Sequence, residues 1–278
     1  MGVMQATSPA MGKIQVEEQV FIHYRHYADV MADTCLVLVH SLAMDGEFWR
    51  LVAPELARRI PVVCVDVRGH GQSSKPQGPY SIQLFAQDVK KVVRELGYEK
   101  AVIGGASMGG CISLQFAIEN PGLTAALALI DTTSWYGPTA PQDWSQRAQK
   151  ARSEGFSSMV QFQTTRWFSD AFRQQELGLV QECIDVFVAN DVAAYEQTCL
   201  AMGAFDAHEQ MEGISVPTAI VVGSEDYAAP VEMSEHMHRR ISNSTLRVIE
   251  GARHLTPLET PSVIVAALNS LLDQVQDA

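Results

Sequence analysis

The 278-residue sequence contains no apolar stretch long enough to cross a bilayer, because a membrane helix needs ~20 consecutive apolar residues. Residues 1–12 have no charged segment running into an apolar one, so no secretory signal is expected. Gly2 invites a myristoylation reading, but that motif wants Ser or Thr where Ala6 stands. The expected location is cytoplasmic. Positive charge is also scarce. Lys and Arg number 20 against 32 Asp and Glu, for a formal net charge of -12. A nucleic-acid binder concentrates basic side chains into a stripe, because phosphates dominate its affinity. No such run occurs, so no nucleic-acid partner is expected. An anionic membrane surface is disfavoured on the same ground. An anionic substrate would have to be met by locally placed cations.

Cysteine is sparse and unpatterned. Cys35, Cys64, Cys111, Cys183 and Cys199 form no CxxC pair, and their number is odd. They read as small buried hydrophobes in a reducing compartment. No G-x-G-x-x-G opens a helix and no G-x-x-x-x-G-K-[ST] occurs, so no nucleotide cofactor is indicated. The pairs His23/His26 and His236/His238 lack a third ligand nearby in sequence. They read as surface residues, and neither metal nor other cofactor is expected. Internal repeats and low-complexity tracts are absent as well.

What is present fits a soluble protein with a sizeable core: hydrophobic residues make up 47% and charged residues 19%. Short β-branched runs alternate with amphipathic segments. Strands are expected at residues 35–40, 61–67, 101–106 and 125–131, and helices at 46–58, 81–96 and 108–119. Near-continuous apolar strands separated by helices indicate a parallel sheet covered on both faces. An opening pair at 14–16 and 20–24 reads as antiparallel. From residue 135 to about 211 the pattern is helical, without a clear apolar strand. Strands then resume at 217–222 and 245–250, with helices at 231–240 and 262–274. The simplest account is a core formed by residues 1–134 and 212–278, with a helical cap, 135–211, inserted after the sixth core strand.

Chemistry concentrates in Gly105-Ala106-Ser107-Met108-Gly109, a G-x-S-x-G between an apolar strand and a helix. A serine on so sharp a turn projects its hydroxyl above the sheet. Glycine on either side avoids steric conflict, and the helix N-terminus favours developing negative charge. A nucleophilic serine needs a base, and the base needs an orienting acid. The chain order expected with this elbow is Ser, acid, His. Asp226 follows the strand at 217–222, and His254 follows the strand at 245–250. Both fall at carboxyl ends of parallel strands, where such sheets place their sites. Glu225 and Asp131 compete for the acid role. Asp226 is preferred because acid and base then sit on consecutive loops. An oxyanion hole would take one N–H from Met108 and a second from the loop after residues 35–40, with Leu42 as the candidate. His70 belongs to a tight turn, Arg68-Gly69-His70-Gly71.

Residues 39–45, the Asp66-Val67-Arg68-Gly69-His70-Gly71-Gln72-Ser73 turn, the serine elbow and the loops of Asp226 and His254 together resemble the α/β-hydrolase superfamily over nearly the whole chain. The resemblance implies a mostly parallel central sheet flanked by helices. Within the superfamily the chain is most similar to the 3-oxoadipate enol-lactonases. Their oxyanion loop tends to read Asn-Ser-Leu-Gly-x-Asp. Here His40-Ser41-Leu42-Ala43-Met44-Asp45 departs at His40 and Ala43. Arg166-Trp167-Phe168-Ser169 followed by Phe172-Arg173 resembles the family's cap. His254-Leu255-Thr256-Pro257-Leu258-Glu259-Thr260-Pro261 resembles its His-Leu-x-x-x-Glu-x-Pro. The implied reaction is hydrolysis of a small enol-lactone in aromatic catabolism. Such a substrate carries a carboxylate, which Arg166, Arg147 or Arg152 could hold. Ser41, Trp135, Arg166 and Trp167 are the candidate substrate contacts, with Trp167-Phe168 alternatively packing the cap. Three rivals stay open: a carboxylesterase, a C–C bond hydrolase (a family that often has Trp where Leu255 stands), and a ligand-binding receptor on the same fold.

Overall fold

The computed structural model describes residues 8–276, so the reading at Gly2 lies outside the described residues. An antiparallel hairpin, β1 (Ala10–Glu17) and β2 (Val20–Tyr27), opens the chain. There follow β3 (Thr34–Val39), the single turn α1 (Ala53–Leu56), β4 (Val62–Val65), α2 (Ile82–Glu95), β5 (Lys100–Ala106), α3 (Met108–Glu119) and β6 (Thr124–Ile130). Five helices then intervene before the next strand: α4 (Ala140–Glu154), α5 (Val160–Trp167), α6 (Asp170–Gln175), α7 (Leu177–Val188) and α8 (Val192–Ala204). The chain closes with β7 (Thr218–Gly223), α9 (Val231–Arg240), β8 (Ser244–Ile249), α10 (Thr256–Glu259) and α11 (Pro261–Gln276). No described helix is long and apolar enough to cross a membrane.

The strands form one sheet in the order β1-β2-β4-β3-β5-β6-β7-β8. From β4 to β8 every pairing is parallel, and β2 meets β4 antiparallel. β3 and β4 are central and covered on both faces, which is why Cys35–Val39 of β3 are all apolar and fully buried. α2 starts where the Ser81 hydroxyl accepts from Leu84 N–H, and it buries Phe85, Ala86, Val89, Val92 and Val93 on one side. α3 is buried nearly all round, between α2 and the strands β3, β5 and β6. All five cysteines are free and buried, and burial pushes the Cys35 and Cys183 thiols up to about 12.

Two expectations need correction. The segment 46–58 is not one helix. Asp45 caps a 3-10 turn at Gly46–Trp49, and a separate turn, α1, begins around Pro54. Proline has no N–H to continue a helix and disfavours helical geometry at the residue before it. His23 is not a surface residue. It is buried, and its Nδ1 lies 3.0 Å from Asp66 Oδ2. Asp66 also accepts from Arg25 Nη1 (2.7 Å), Gly46 N (2.8 Å) and Gln72 N (2.8 Å), so it ties β2 to the loops after β3 and β4. Burial alone would raise its carboxyl. The Gln72 N–H, the Arg25 guanidinium and the remaining partners outweigh that and hold it below the ordinary carboxylate value.

The turn after β4 is secured by a second buried ion pair. Arg68 Nε and Nη2 each donate to Asp88 of α2 at 2.8 Å, and Nη2 also reaches Glu17 Oε1 at 2.8 Å. Removing the cation would leave Asp88 buried and unpaired. Arg68→Met is expected to destabilise the fold by about 3–5 kcal/mol, read as a lowered denaturation midpoint in urea at unchanged slope.

Candidate active site

Ser107 stands between β5 and α3 with φ 55° and ψ −117°, a conformation rarely tolerated outside glycine. The turn is crowded on both sides. A Cβ on Gly105 would collide with the Gly109 backbone, and one on Gly109 would collide with the Val39 carbonyl. Ser107 N donates to Ile130 O at 2.9 Å, and its carbonyl accepts from Thr132 Oγ1 at 2.7 Å. The bend is therefore fixed against β6.

Three loops from three strand ends meet here. Ser107 Oγ lies 2.9 Å from His254 Nε2, and His254 Nδ1 lies 2.8 Å from Asp226 Oδ2. Asp226 Oδ1 accepts from the N–H groups of Ala228 (2.7 Å) and Ala229 (2.9 Å), leaving Oδ2 for the imidazole. A proton on Nδ1 satisfies the carboxylate and leaves the Nε2 lone pair facing the hydroxyl. All three side chains are buried.

Asp131 takes a different place. Its Oδ2 accepts from Thr256 N (3.0 Å) and Thr256 Oγ1 (2.7 Å), and Oδ1 accepts from Gly223 N (3.3 Å). It thus joins the ends of β6 and β7 to the chain just past His254. Burial, and then the Asp226 charge, push its carboxyl well above the ordinary range. Glu225 faces Arg253 rather than the imidazole.

The turn after β3 is closed by Met44 N donating to Ser41 O at 3.1 Å. Ala43 in that turn has φ 61°, which favours glycine. Its carbonyl accepts from Asn190 Nδ2 at 2.9 Å, a tie to the end of α7 that accompanies the strain. His40 anchors the same turn from below. Val67 N donates to its Nε2 at 2.9 Å, so Nδ1 carries the proton that meets Ser41 O at 2.8 Å. Full burial lowers its pKa, in keeping with a neutral imidazole. Met108 opens α3, so its N–H has no acceptor within the helix.

A cavity of about 450 Å³ opens above Ser107 and His254. Ser41, Leu42, Arg166 and Trp167 line it. Trp135 does not line it. Trp135 pairs by a backbone bridge with Asp206, and its ring stacks on His208 at 4.9 Å. The next residue, Tyr136, does line the cavity, with Trp144, Phe162 and Trp167 as its other aromatic groups. Arg152 also lies elsewhere, paired with Glu196 at the surface. Arg147 does line the cavity. Its Nε donates to Tyr195 OH at 2.8 Å and its guanidinium lies 5.1 Å from the Trp144 ring centroid, with no carboxylate partner among the described residues. Arg166 donates to the Tyr227 carbonyl at 2.6 Å and likewise meets no carboxylate there. Burial, and then the nearby Arg147 charge, lower its pKa. No group of three metal-ligating side chains occurs among the described residues.

Comparison with known proteins agrees with this architecture. A family model described as the alpha/beta hydrolase fold matches residues 34–170. A 3-oxoadipate enol-lactonase of Acinetobacter baylyi is 29% identical over 237 residues, spanning 85% of this chain and 88% of its own. Among solved structures, the enol-lactonase from Burkholderia xenovorans superposes with a TM-score of 0.85 at 28% identity, covering 91% of this chain and 97% of its own. A thermophilic esterase from Thermogutta terrifontis reaches 0.88 at 25% identity, covering 96% and 99%.

The two buried carboxyls should separate on substitution. Asp226→Asn is expected to lower kcat by about a thousandfold or more, because the amide favours the wrong imidazole tautomer. Asp131→Asn should lower it by about tenfold or less, since no bond to the imidazole is lost. Steady-state kinetics on one activated ester ranks them, and the reverse order would move the acid to the earlier loop.

Proposed function

We propose that this chain, an α/β-hydrolase acting on ester or lactone bonds, is a serine hydrolase of a small carboxylate-bearing lactone, of the 3-oxoadipate enol-lactonase type. The observation that carries the reading is a hydrogen-bonded line, Ser107–His254–Asp226, opening into a cavity walled by two arginines that have no carboxylate partner there. Two cations without a protein counter-ion suit an anionic ligand. The enol-lactonase relatives favour a lactone over an open-chain ester.

In this reading Ser107 Oγ attacks the lactone carbonyl while His254 Nε2 takes its proton. Asp226 holds the imidazole in the productive tautomer and stabilises the imidazolium. The oxyanion of the tetrahedral intermediate meets the N–H groups of Met108 and Leu42, each contributing about 3 kcal/mol in the transition state. On collapse the ring C–O bond breaks, and the ring oxygen leaves as an enol that takes the proton back from His254. The leaving group stays attached to the acyl chain, because the substrate was cyclic. Water, deprotonated by His254, then attacks the Ser107 ester and releases the second carboxylate.

The five helices between β6 and β7 act as a cap over this site in the same reading, and their contribution is the far wall. Of the three arginines considered from sequence, Arg147 suits the distal carboxylate best. Both arginines are half-buried and each commits one donor, Arg147 Nε to the Tyr195 hydroxyl and Arg166 Nη2 to the Tyr227 carbonyl, but Arg147 is further held over the Trp144 ring with its remaining donors lacking an acidic partner. A neutral-ester reading draws on the apolar remainder of the wall, Leu42, Met159, Phe162 and Trp167.

Ser107→Ala is expected to lose hydrolysis by about a thousandfold or more while keeping its melting temperature. Wild type treated with a fluorophosphonate should carry one covalent adduct at Ser107, seen by mass spectrometry. Retained activity or labelling in the variant would remove the nucleophile. Arg147→Met is expected to raise KM about tenfold or more for a carboxylate-bearing enol-lactone and leave KM for a neutral aryl ester within about threefold. Equal effects on both substrates would favour the neutral-ester reading.

A further inference from the structure

We infer that Arg253 and Glu259 are positioning residues that bind the segment 165–170, which carries the cavity-lining Arg166 and Trp167, to the loop of His254, so that the base and this wall of the cavity move as one body. The inference rests on the reading of Ser107, His254 and Asp226 given above.

The two side chains flank the base, one residue before it and five after. Between α5 and α6 the chain leaves the helical path at Phe168, whose φ of −135° and ψ of 147° are extended. Such a break strands carbonyls at the end of one helix and an N–H at the start of the next. Arg253 and Glu259 supply the missing partners. Arg253 Nη1 donates to Thr165 O at 2.8 Å and Phe168 O at 3.1 Å, a cation at the C-terminal end of α5. Glu259 Oε1 accepts from Ser169 N at 3.0 Å, where Ser169 caps α6. The other oxygen of Glu259 accepts from the backbone N–H of Arg253 itself, at 2.9 Å. One carboxylate therefore joins the α5–α6 break to the residue before His254.

The backbones pair directly as well. His254 N lies 3.4 Å from Arg166 O, and Leu255 N donates to Trp167 O at 3.0 Å. The residues that face the cavity and the base that faces Ser107 thus lie on hydrogen-bonded strands of chain. Arg253 extends the connection to the acid loop. Its Nε reaches Glu225 Oε2 at 3.3 Å, its guanidinium lies 5.2 Å from the Tyr227 ring centroid, and Nη1 pairs with Asp170 at 2.9 Å. The Arg253 side chain is only 11% exposed, but its partners Asp170 and Glu225 are 68% and 45% exposed, so the bonds to the Thr165 and Phe168 carbonyls rather than the screened ion pairs carry the tie. From the opposite side, Asp131 holds Thr256. The imidazole is then clamped between the sheet and the α5–α6 break. Displacing a base by about 1 Å costs on the order of a hundredfold in rate, so this clamp acts on kcat rather than on substrate affinity.

The test compares Arg253→Met and Glu259→Gln with wild type at a temperature where all three are folded. Expected are a fall in kcat of about tenfold to a hundredfold for Arg253→Met, a smaller fall for Glu259→Gln, and KM within about threefold. Fluorophosphonate labelling of Ser107 should slow in parallel. Amide hydrogen exchange should accelerate together in peptides covering residues 162–170 and 252–260. If Arg253→Met does not fold, Glu259→Gln carries the test, because it keeps one acceptor oxygen and the side-chain volume. The inference is overturned if both variants keep kcat and labelling rate within about twofold while only the melting temperature drops, or if exchange accelerates in one segment alone. Wild type that fails to label at Ser107 would instead remove the triad reading on which the inference rests.

Discussion

The strained turn at Ser107 is the constraint on which the rest of the structure depends. A left-handed, non-helical conformation at a residue with a side chain costs on the order of 1–3 kcal/mol. It persists because the neighbouring backbone leaves no room for an alternative. Gly109 packs against the Val39 carbonyl so closely that no side chain fits, and Gly105 packs against Gly109 in the same way. The end of β3, the end of β5 and the first turn of α3 are thereby locked together. Because β3 also leads into the Ser41–Met44 turn, the contact that strains Ser107 also sets where Leu42 stands. The hydroxyl and the candidate oxyanion donors are placed by one close approach of three backbones.

The partner loops are placed by buried carboxylates, beside one glycine contact, Gly223 against the Ala252 and Arg253 carbonyls. Asp66 gathers the hairpin, the turn after β3 and the turn after β4. Asp131 gathers the ends of β6 and β7 and the chain past His254. Each sits at a strand end on the edge of the sheet where the site lies, and each accepts backbone N–H groups that would otherwise be buried without acceptors. A sheet whose carboxyl edge is covered by helices cannot leave those groups to water. Acidic residues that look redundant beside Asp226 therefore have separate work, and the number of carboxylates near the site does not count candidate acids.

Much of this was legible from local pattern. The elbow announces itself because glycine, serine and glycine fall between an apolar strand and a helix, and α3 runs over Met108–Glu119 as its composition demands. Asp226 stands out because it follows the apolar run of β7, and His254 because it follows the mixed, partly exposed strand β8 and a glycine. What escaped depended on contacts far apart in the chain. His23 looks like a surface histidine until Asp66, 43 residues on, is folded against it. Trp135 and Tyr136 are indistinguishable as cavity candidates until the fold stacks the Trp135 ring on His208 and sets Tyr136 in the cavity wall. The arginines of α4 were separable in principle: five residues place Arg152 about 140° around the helix from Arg147, so the two cannot face the same cavity. The break of 46–58 at Pro54 was equally readable, and the apolar residues around it concealed it.

Charge distribution supplies the last link between the fold and the proposed chemistry. The whole chain carries -12, yet its cavity presents Arg147, Lys150 and Arg166 against Asp143. In the proposed reading, a chain whose net charge repels anions at long range and whose cavity wall carries more cations than anions selects an anionic substrate by fit rather than by steering. Hydrolysis of such a substrate creates a second carboxylate at the acyl carbon, close to the buried Asp226. In that reading the arginines hold the first carboxylate, while the second forms between the Met108 and Leu42 N–H groups and the Asp226 charge. Ring opening therefore changes the charge at the acyl carbon, so the site that fits the neutral lactone carbonyl meets a different group in the product.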